Sequence, residues 1–254
     1  MPRTSPFTFE ICVESAQALA AAAGFADRIE LCAGLDVGGL TPEPGLMAQA
    51  AASGLETHVL IRGRSGDFTL QEDELAVACT SIKAVRQTGL KGIVIGVEKA
   101  GQLDLPALQY MVEAADGLDL TLHRVIDLVD DPIAALGEAI ALGFKRVLTS
   151  GGAPSAPAGI EGLRRLCAAA DGQIEIMAGG GITSTSLPDL IANTPVRAFH
   201  ASCSCKQLLD RRYVDFGFGQ AQRGFDTQEA ERIVEVLRLS KAKIDITPVE
   251  QLFA

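Results

Sequence analysis

Short β-branched runs alternate with longer Ala- and Leu-rich stretches at helical spacing along the whole chain. The runs predict strands over 7–12, 28–32, 57–62, 92–96, 118–124, 146–149, 175–178 and 198–200. The amphipathic stretches between them predict helices over 14–24, 43–53, 71–89, 104–116, 131–142, 159–170 and 184–193. A last helix is expected over 227–239, with Thr227 as N-cap and Glu229 and Glu231 in its first turn. Gly24, Gly54, Gly89 and Gly143 stand where helices would hand over to strands, and Pro132 suits a first helical turn.

Eight strand–helix pairs in this order predict a single (β/α)8 TIM barrel spanning 1–254, with its core over about 7–200. The competing arrangement, an open doubly wound sheet, requires a Gly-rich dinucleotide turn after an early strand, and the sequence has none there. A closed barrel must pair its first and last strands, so Glu10 should lie near His200. The polar segment 203–225 follows the eighth strand and reads as a long loop, either a lid or an oligomer contact.

Composition narrows the functional classes. The chain is 48% hydrophobic and 21% charged, with 5% aromatics and no Trp, so its core is built from Ala, Val, Leu and Ile. A net charge of −10 repels phosphate backbones, which argues against nucleic acid and anionic membranes as partners. The opening residues lack the apolar stretch of a secretory signal, and no run reaches transmembrane length. With six cysteines, this predicts reduced thiols in the cytoplasm.

Barrel sites form at the C-terminal ends of strands. Glu10 and Cys12 share one strand face, as do Glu30 and Cys32. The third strand ends with His58 and Arg62, the fifth with His123 and Arg124 and then Asp127, the eighth with His200 and Ser202. All three histidines thus fall on strand ends. Glu10, Glu30, His58, His123 and Asp127 are candidate acids and bases. Arg62, Arg124, Ser202 and the run Gly179, Gly180, Gly181 are candidates for holding a small anionic or phosphorylated molecule, with a helix starting near Thr183 turning its positive end to the spot. The plainer alternatives are a tight turn at the glycines and an ion-pair network among the charges. Cys12 and Cys32 on neighbouring strands could place two soft thiolates on one ion, and two such ligands suit Cu(I) better than zinc. They could equally pack as small apolar residues. Cys203 and Cys205 could assist, whereas Cys79 and Cys167 read as core residues of helices.

Seven blocks in order resemble the CutC family of copper homeostasis proteins: Phe9-Glu-Ile-Cys-Val-Glu-Ser15, Ala26-Asp-Arg-Ile-Glu-Leu-Cys32, Gly38-Gly-Leu-Thr-Pro42, Ile61-Arg-Gly-Arg-Ser-Gly-Asp-Phe68, Leu122-His-Arg-Val-Ile-Asp127, Val147-Leu-Thr-Ser-Gly151 and Met177-Ala-Gly-Gly-Gly-Ile182. The resemblance implies a cytosolic TIM barrel associated with copper tolerance and Cu(I) binding. It puts the copper-linked cysteines on Cys12 and Cys32, and a polar mouth on Glu10, Glu30, Arg62, Asp67, His123, Arg124 and Asp127. The loop after the third strand lacks the family's proline, standing as Arg62-Gly-Arg-Ser-Gly-Asp-Phe. Two thiols leave the arginines and His123 unexplained, so an enzyme, a lyase, isomerase or hydrolase, stays open beside a copper binder. A homodimer is the default assembly.

Overall fold

The computed structural model describes residues 6–246. Eight parallel strands close into one barrel: β1 Thr8–Val13, β2 Arg28–Leu31, β3 Thr57–Leu60, β4 Gly92–Ile95, β5 Asp119–Leu122, β6 Arg146–Thr149, β7 Glu175–Gly179 and β8 Ala198–Ala201, each hydrogen-bonded to its neighbours in chain order. Closure joins β1 to β8 with Glu10 opposite His200. Helices α1 Ala16–Ala22, α2 Pro44–Ser53, α3 Glu72–Thr88, α4 Leu105–Ala115, α5 Pro132–Ala141, α6 Ile160–Ala170 and α7 Leu187–Asn193 lie between the strands. The predicted alternation is therefore the observed one, a closed parallel barrel in a single domain.

Strand residues alternate between two faces. Phe9, Ile11, Ile29, Leu31, Ile93 and Phe199 are fully buried in the apolar layer between strands and helices. Burying each contributes about 1.5–3 kcal/mol, so this layer holds the fold. The inner face differs. Its apolar content falls into two small clusters, Cys32, Leu60 and Val94 on one side and Leu148, Met177 and Ala198 on the other. The rest of the barrel interior is polar or charged.

Local chemistry explains most boundaries. Asp131 caps α5 by accepting from the N–H groups of Ile133 and Ala134, with Pro132 in the first turn. Gly54, Gly89 and Gly143 take left-handed φ at helix ends, which costs a residue without Cβ little. Gly24 does not join them, because α1 closes through Ala23 in right-handed geometry and the Phe25 N–H donates to Ala22 O. Two further expectations need correction. The cap of the last helix, α9 Thr227–Ile246, is Asp226, whose carboxylate accepts from the Glu229 N–H; Thr227 is already inside the helix. Helix α7 begins at Leu187, because Thr183 and Ser186 bond one another in a closed turn that delays it.

The segment read as a loop over 203–225 is structured. Ser204–Leu208 pairs antiparallel with Ala221–Phe225, and the short helix α8 Arg211–Asp215 crosses the tip. A second small hairpin, Glu98–Lys99 with Gln102–Leu103, follows β4. Among the described residues no helix is long and apolar enough to cross a membrane.

Candidate functional site at the barrel mouth

The inner face sorts the predicted site residues by height. At the lower level Arg28, the first residue of β2, pairs with Glu10 and lies 3.6 Å from Glu175. Arg146, the first residue of β6, reaches Glu175 at 3.1 Å and His58 Nδ1 at 3.1 Å. His58 packs over Gly92, where a Cβ would come 2.9 Å from its ring. Burial and the Arg146 cation push His58 down to about 4, so it stays neutral. Burial alone would raise Glu10, but the His200 hydrogen bond and the Arg28 charge outweigh it and hold the carboxyl well below the usual range. Glu10 and His58 thus belong to an ion-pair and hydrogen-bond layer beneath the mouth.

Above that layer opens a cavity of about 430 Å³, lined among others by Cys12, Glu30, Arg62, His123, Arg124 and His200. This is within the usual size for a small-molecule site. Phe68, Gly180, Gly181, Ser202, Cys203 and Glu229 complete much of the wall. Of the glycine run, Gly179 lies in β7 and leaves room for Leu148 and His200, while Gly180 lies under Arg124, whose Nη1 would sit 3.0 Å from a Cβ there.

His200 joins the two levels. Its Nδ1 is 2.7 Å from Glu10 Oε1 and 3.4 Å from Glu30 Oε2. Burial favours the neutral ring, yet Cys12, Glu30 and Glu10 raise its pKa well above the ordinary value. Burial, reinforced by Glu10 against the pull of His200, pushes Glu30 up to about 7. Glu10, Glu30 and His200 offer ligand atoms within 4.8 Å of one another. An imidazolium between two carboxylates already supplies the positive charge a metal would bring there.

Arg62 donates to the carbonyls of Val37, Gly39 and Gly66 at 2.7–3.0 Å and stacks on Phe68 at 4.9 Å. Phe68 also packs against His123, with ring centroids 4.7 Å apart. Burial and the Arg62 charge push His123 down to about 3. Four buried side-chain N or O atoms among the described residues have no hydrogen-bond partner: Glu30 Oε2, Arg62 Nε, His123 Nε2 and His58 Nε2. The first three belong to residues of the mouth cavity.

Three predicted residues have other surroundings. Asp127 accepts from Thr149 Oγ1, from the N–H groups of Ser150 and Gly152, and from Arg124, so it clamps the end of β6 and orients Arg124. Asp67 pairs with Arg64 on an exposed loop beside a second, smaller cavity. Cys32 lies under Gly39, whose Cβ would be 3.7 Å from its own, and donates to Val13 O. The β1–β2 register sets Cys12 opposite Glu30, which leaves Cys32 one inward position higher. Burial, with Cys12, Glu30 and Glu14 nearby, pushes the Cys32 thiol far up. The second thiol on the cavity wall is Cys203, which burial and Cys12 push up to about 12.

Sequence reasoning passed over Phe68, which has no polar group to draw notice, and Glu229, which reaches the mouth from α9 while accepting from Ser184. Their signal was indirect: Phe68 closes the Arg-rich block after β3, and Glu229 lies in the first turn of the last helix.

Fold and mouth together define a TIM-barrel protein with a polar pocket at the C-terminal ends of its strands. A family model described as the CutC family matches residues 7–205, and the chain belongs to that family. It is 44% identical over 236 residues to a family protein CutC of Agrobacterium fabrum, covering 91% of this chain and 94% of that one. A Caulobacter vibrioides family protein CutC is 48% identical over 195 residues, covering 76% and 80%. The solved structure of the putative copper homeostasis protein CutC from Streptococcus agalactiae superposes with a TM-score of 0.74 at 28% identity, covering 77% of this chain and 98% of that one.

Proposed function

We propose that the mouth binds a small anionic molecule and acts on it as an enzyme of the lyase, isomerase or hydrolase kind. One observation carries this reading: three buried polar atoms without hydrogen-bond partners, on Glu30, Arg62 and His123, belong to residues that line one cavity. Leaving each unsatisfied costs about 1–3 kcal/mol, a cost that a polar ligand removes. Arg62 and Arg124 supply the positive charge, and the carbonyls and Asp127 that hold them keep both guanidinium groups in place. A thermal-shift series with inorganic phosphate, pyruvate and dihydroxyacetone phosphate tests it. At millimolar concentration at least one should raise the melting temperature of the parent and not of Arg62→Ala. No shift with any of them counts against the reading.

Copper as cargo is the second reading, supported by the two thiols, Cys12 and Cys203, on the cavity wall and by the name of the Streptococcus agalactiae relative, a putative copper homeostasis protein. Soft sulfur suits Cu(I). Cys12 is the shared member of any thiol pair here, with Cys32 or Cys203 as its partner. Titration with Cu(I) against bicinchoninate under reducing conditions should show binding that a Cys12→Ser/Cys32→Ser variant loses. If the double variant still binds and Cys203→Ser does too, the thiols are not the ligands. The six unpaired cysteines support a reducing, cytoplasmic setting. Leu208, Phe216 and Phe218, exposed at the tip of the 204–225 ribbon, support a homodimer.

A further inference from the structure

His123 is held on three sides. It ends β5 as the N-cap of a 3₁₀ turn, Arg124–Asp127, and its Nδ1 accepts the Val125 N–H at 3.1 Å. Phe68 packs on one face of the ring. On the side of β4 stands Gly96, where any Cβ would come 2.6 Å from Nδ1. A ring nitrogen that accepts from a backbone N–H cannot carry the proton; the Val125 contact therefore favours the proton on Nε2, against the Gly96 and His123 carbonyls that also hydrogen-bond the ring. Nε2 is buried and without a partner. The Nε2–H tautomer gives an uncharged N–H donor on a residue that lines the mouth.

Such a donor has a narrow chemical use. It is a poor proton source for a leaving group, since it would have to become an anion. It does stabilise negative charge developing on a nearby oxygen, and it does so best where water is scarce and the donor is already oriented. A carbonyl oxygen becoming an enolate oxygen is the common case, and a carboxylate that can take the proton from the adjacent carbon is the usual companion. Glu30 Oε2, 3.4 Å from His200 Nδ1 and without a hydrogen bond, and Arg62 Nε, likewise without one, belong to residues lining that cavity.

We propose that the mouth enolises a small carbonyl compound carrying a carboxylate or phosphate, with His123 Nε2–H on the carbonyl oxygen, Glu30 as the base and Arg62 on the anionic group. This rests on the anion-binding reading above. The C–H bond beside the carbonyl breaks and its electron pair becomes the new C=C bond. The carbonyl π pair moves to oxygen, where His123 stabilises it, and the proton passes to the Glu30 carboxylate. Its return to the same carbon gives exchange; where that carbon bears a hydroxyl, its delivery to the former carbonyl carbon, with the hydroxyl proton passing to the enolate oxygen, gives isomerisation, and neither requires an oxidant or reductant.

Pyruvate and dihydroxyacetone phosphate in D2O at neutral pD serve as probes, with loss of the C–H signals followed by proton NMR. The parent should incorporate deuterium faster than buffer into at least one of them. His123→Phe, which keeps a packed ring and removes the N–H, should lose about 100-fold or more of that rate while its melting temperature still rises with the probe. Glu30→Gln should lose the exchange as well. Probes that stabilise the parent without exchange overturn the enolisation and leave anion binding standing, whereas the absence of both overturns both. An unchanged rate in His123→Phe overturns the role of His123. Should that variant not fold, nitrogen-15 NMR of the parent decides. Of its three histidines, His58 and His123 are expected to stay neutral with the proton on Nε2 at pH 6, and an imidazolium or an Nδ1–H ring at His123 overturns the assignment.

Discussion

Asp127 has no oxygen to spare. Oδ1 accepts from Thr149 Oγ1 at 2.5 Å and from the Gly152 N–H at 3.0 Å, and Oδ2 accepts from Ser150 Oγ and from Arg124 Nε. A carboxylate with its acceptor sites filled by structural donors is a clamp, whatever its position in the chain. Asp127→Ala should destabilise the fold by about 3 kcal/mol in urea denaturation, because it strands buried donors around a charge-assisted network. A loss below about 0.5 kcal/mol would contradict that role. Gly96 makes the opposite kind of case, since its value is the space it leaves for His123. Gly96→Ala must move the imidazole or the strand, at about 1–3 kcal/mol for an overpacked site. It should also slow the deuterium exchange while the probe-induced thermal shift persists, even where the variant remains folded.

Among the elements, the ribbon Ser204–Leu208 with Ala221–Phe225 forms a sheet of its own, anchored at its base by Phe225 on Phe25 and Arg223 on Asp36. Leu208, Phe216 and Phe218 are 81%, 75% and 73% exposed. A two-stranded ribbon is marginal alone in water, and large apolar tips of this kind are the usual mark of a contact surface. Around them lie Asp210, Arg211, Arg212 and Asp215, and a contact of this patch with the same patch of a second copy would set both signs of charge against each other. Light scattering should therefore give a dimer mass for the parent and a monomer mass for Leu208→Ser/Phe216→Ser/Phe218→Ser. Since these side chains bury little within their own chain, the monomer's urea stability should match the parent's at high dilution. A parent that stays monomeric at high concentration rules the contact out. The sequence showed this stretch as polar and Arg-containing. Its strands escaped notice because alternation is weak in Ser-Cys-Lys-Gln-Leu, and because the pairing partner lies across the intervening α8.

For the whole molecule the buried titratable groups set the acid behaviour. His58 at about 4 and His123 at about 3 are neutral in the fold, whereas an exposed imidazole protonates near 6.5. Lowering the pH from 6.5 therefore charges both rings in the unfolded chain first, and stability falls. Glu30 acts in the opposite sense: its folded carboxyl takes a proton near 7 and the unfolded one only near 4.5. His200, raised above 6.5, is protonated in both states below about pH 5.5, and Glu10, held low in the fold, adds to the loss as its unfolded carboxyl takes a proton near 4.5. Unfolding near pH 5.5 thus takes up roughly one net proton, and stability should drop by about 1–2 kcal/mol between pH 5.5 and 4.5. Urea denaturation at three pH values in that range checks this, and a flat or rising profile on acidification would refute the neutral, buried imidazoles.

How much of this was legible beforehand depends on the distance over which each feature is decided. The period of two along the strands and the helical spacing between them are local. They were enough for the eight-fold alternation, the closed barrel, the Glu10–His200 pairing and the inward face shared by Glu10, Cys12, Glu30, His123 and His200. The family blocks were legible for the same reason, being short and contiguous. Height inside the barrel is another matter. The stagger of parallel strands comes from packing eight of them against seven intervening helices, and no single strand contains it. Only the tertiary structure put Cys12 opposite Glu30, sank His58 and Glu10 into the arginine layer, and saturated Asp127 from β6. Only it brought Phe68 and Glu229 to the same mouth, across a separation of 161 residues in the chain (229 minus 68). Which face a side chain takes is a matter of backbone alternation; what it meets there depends on every other element of the barrel.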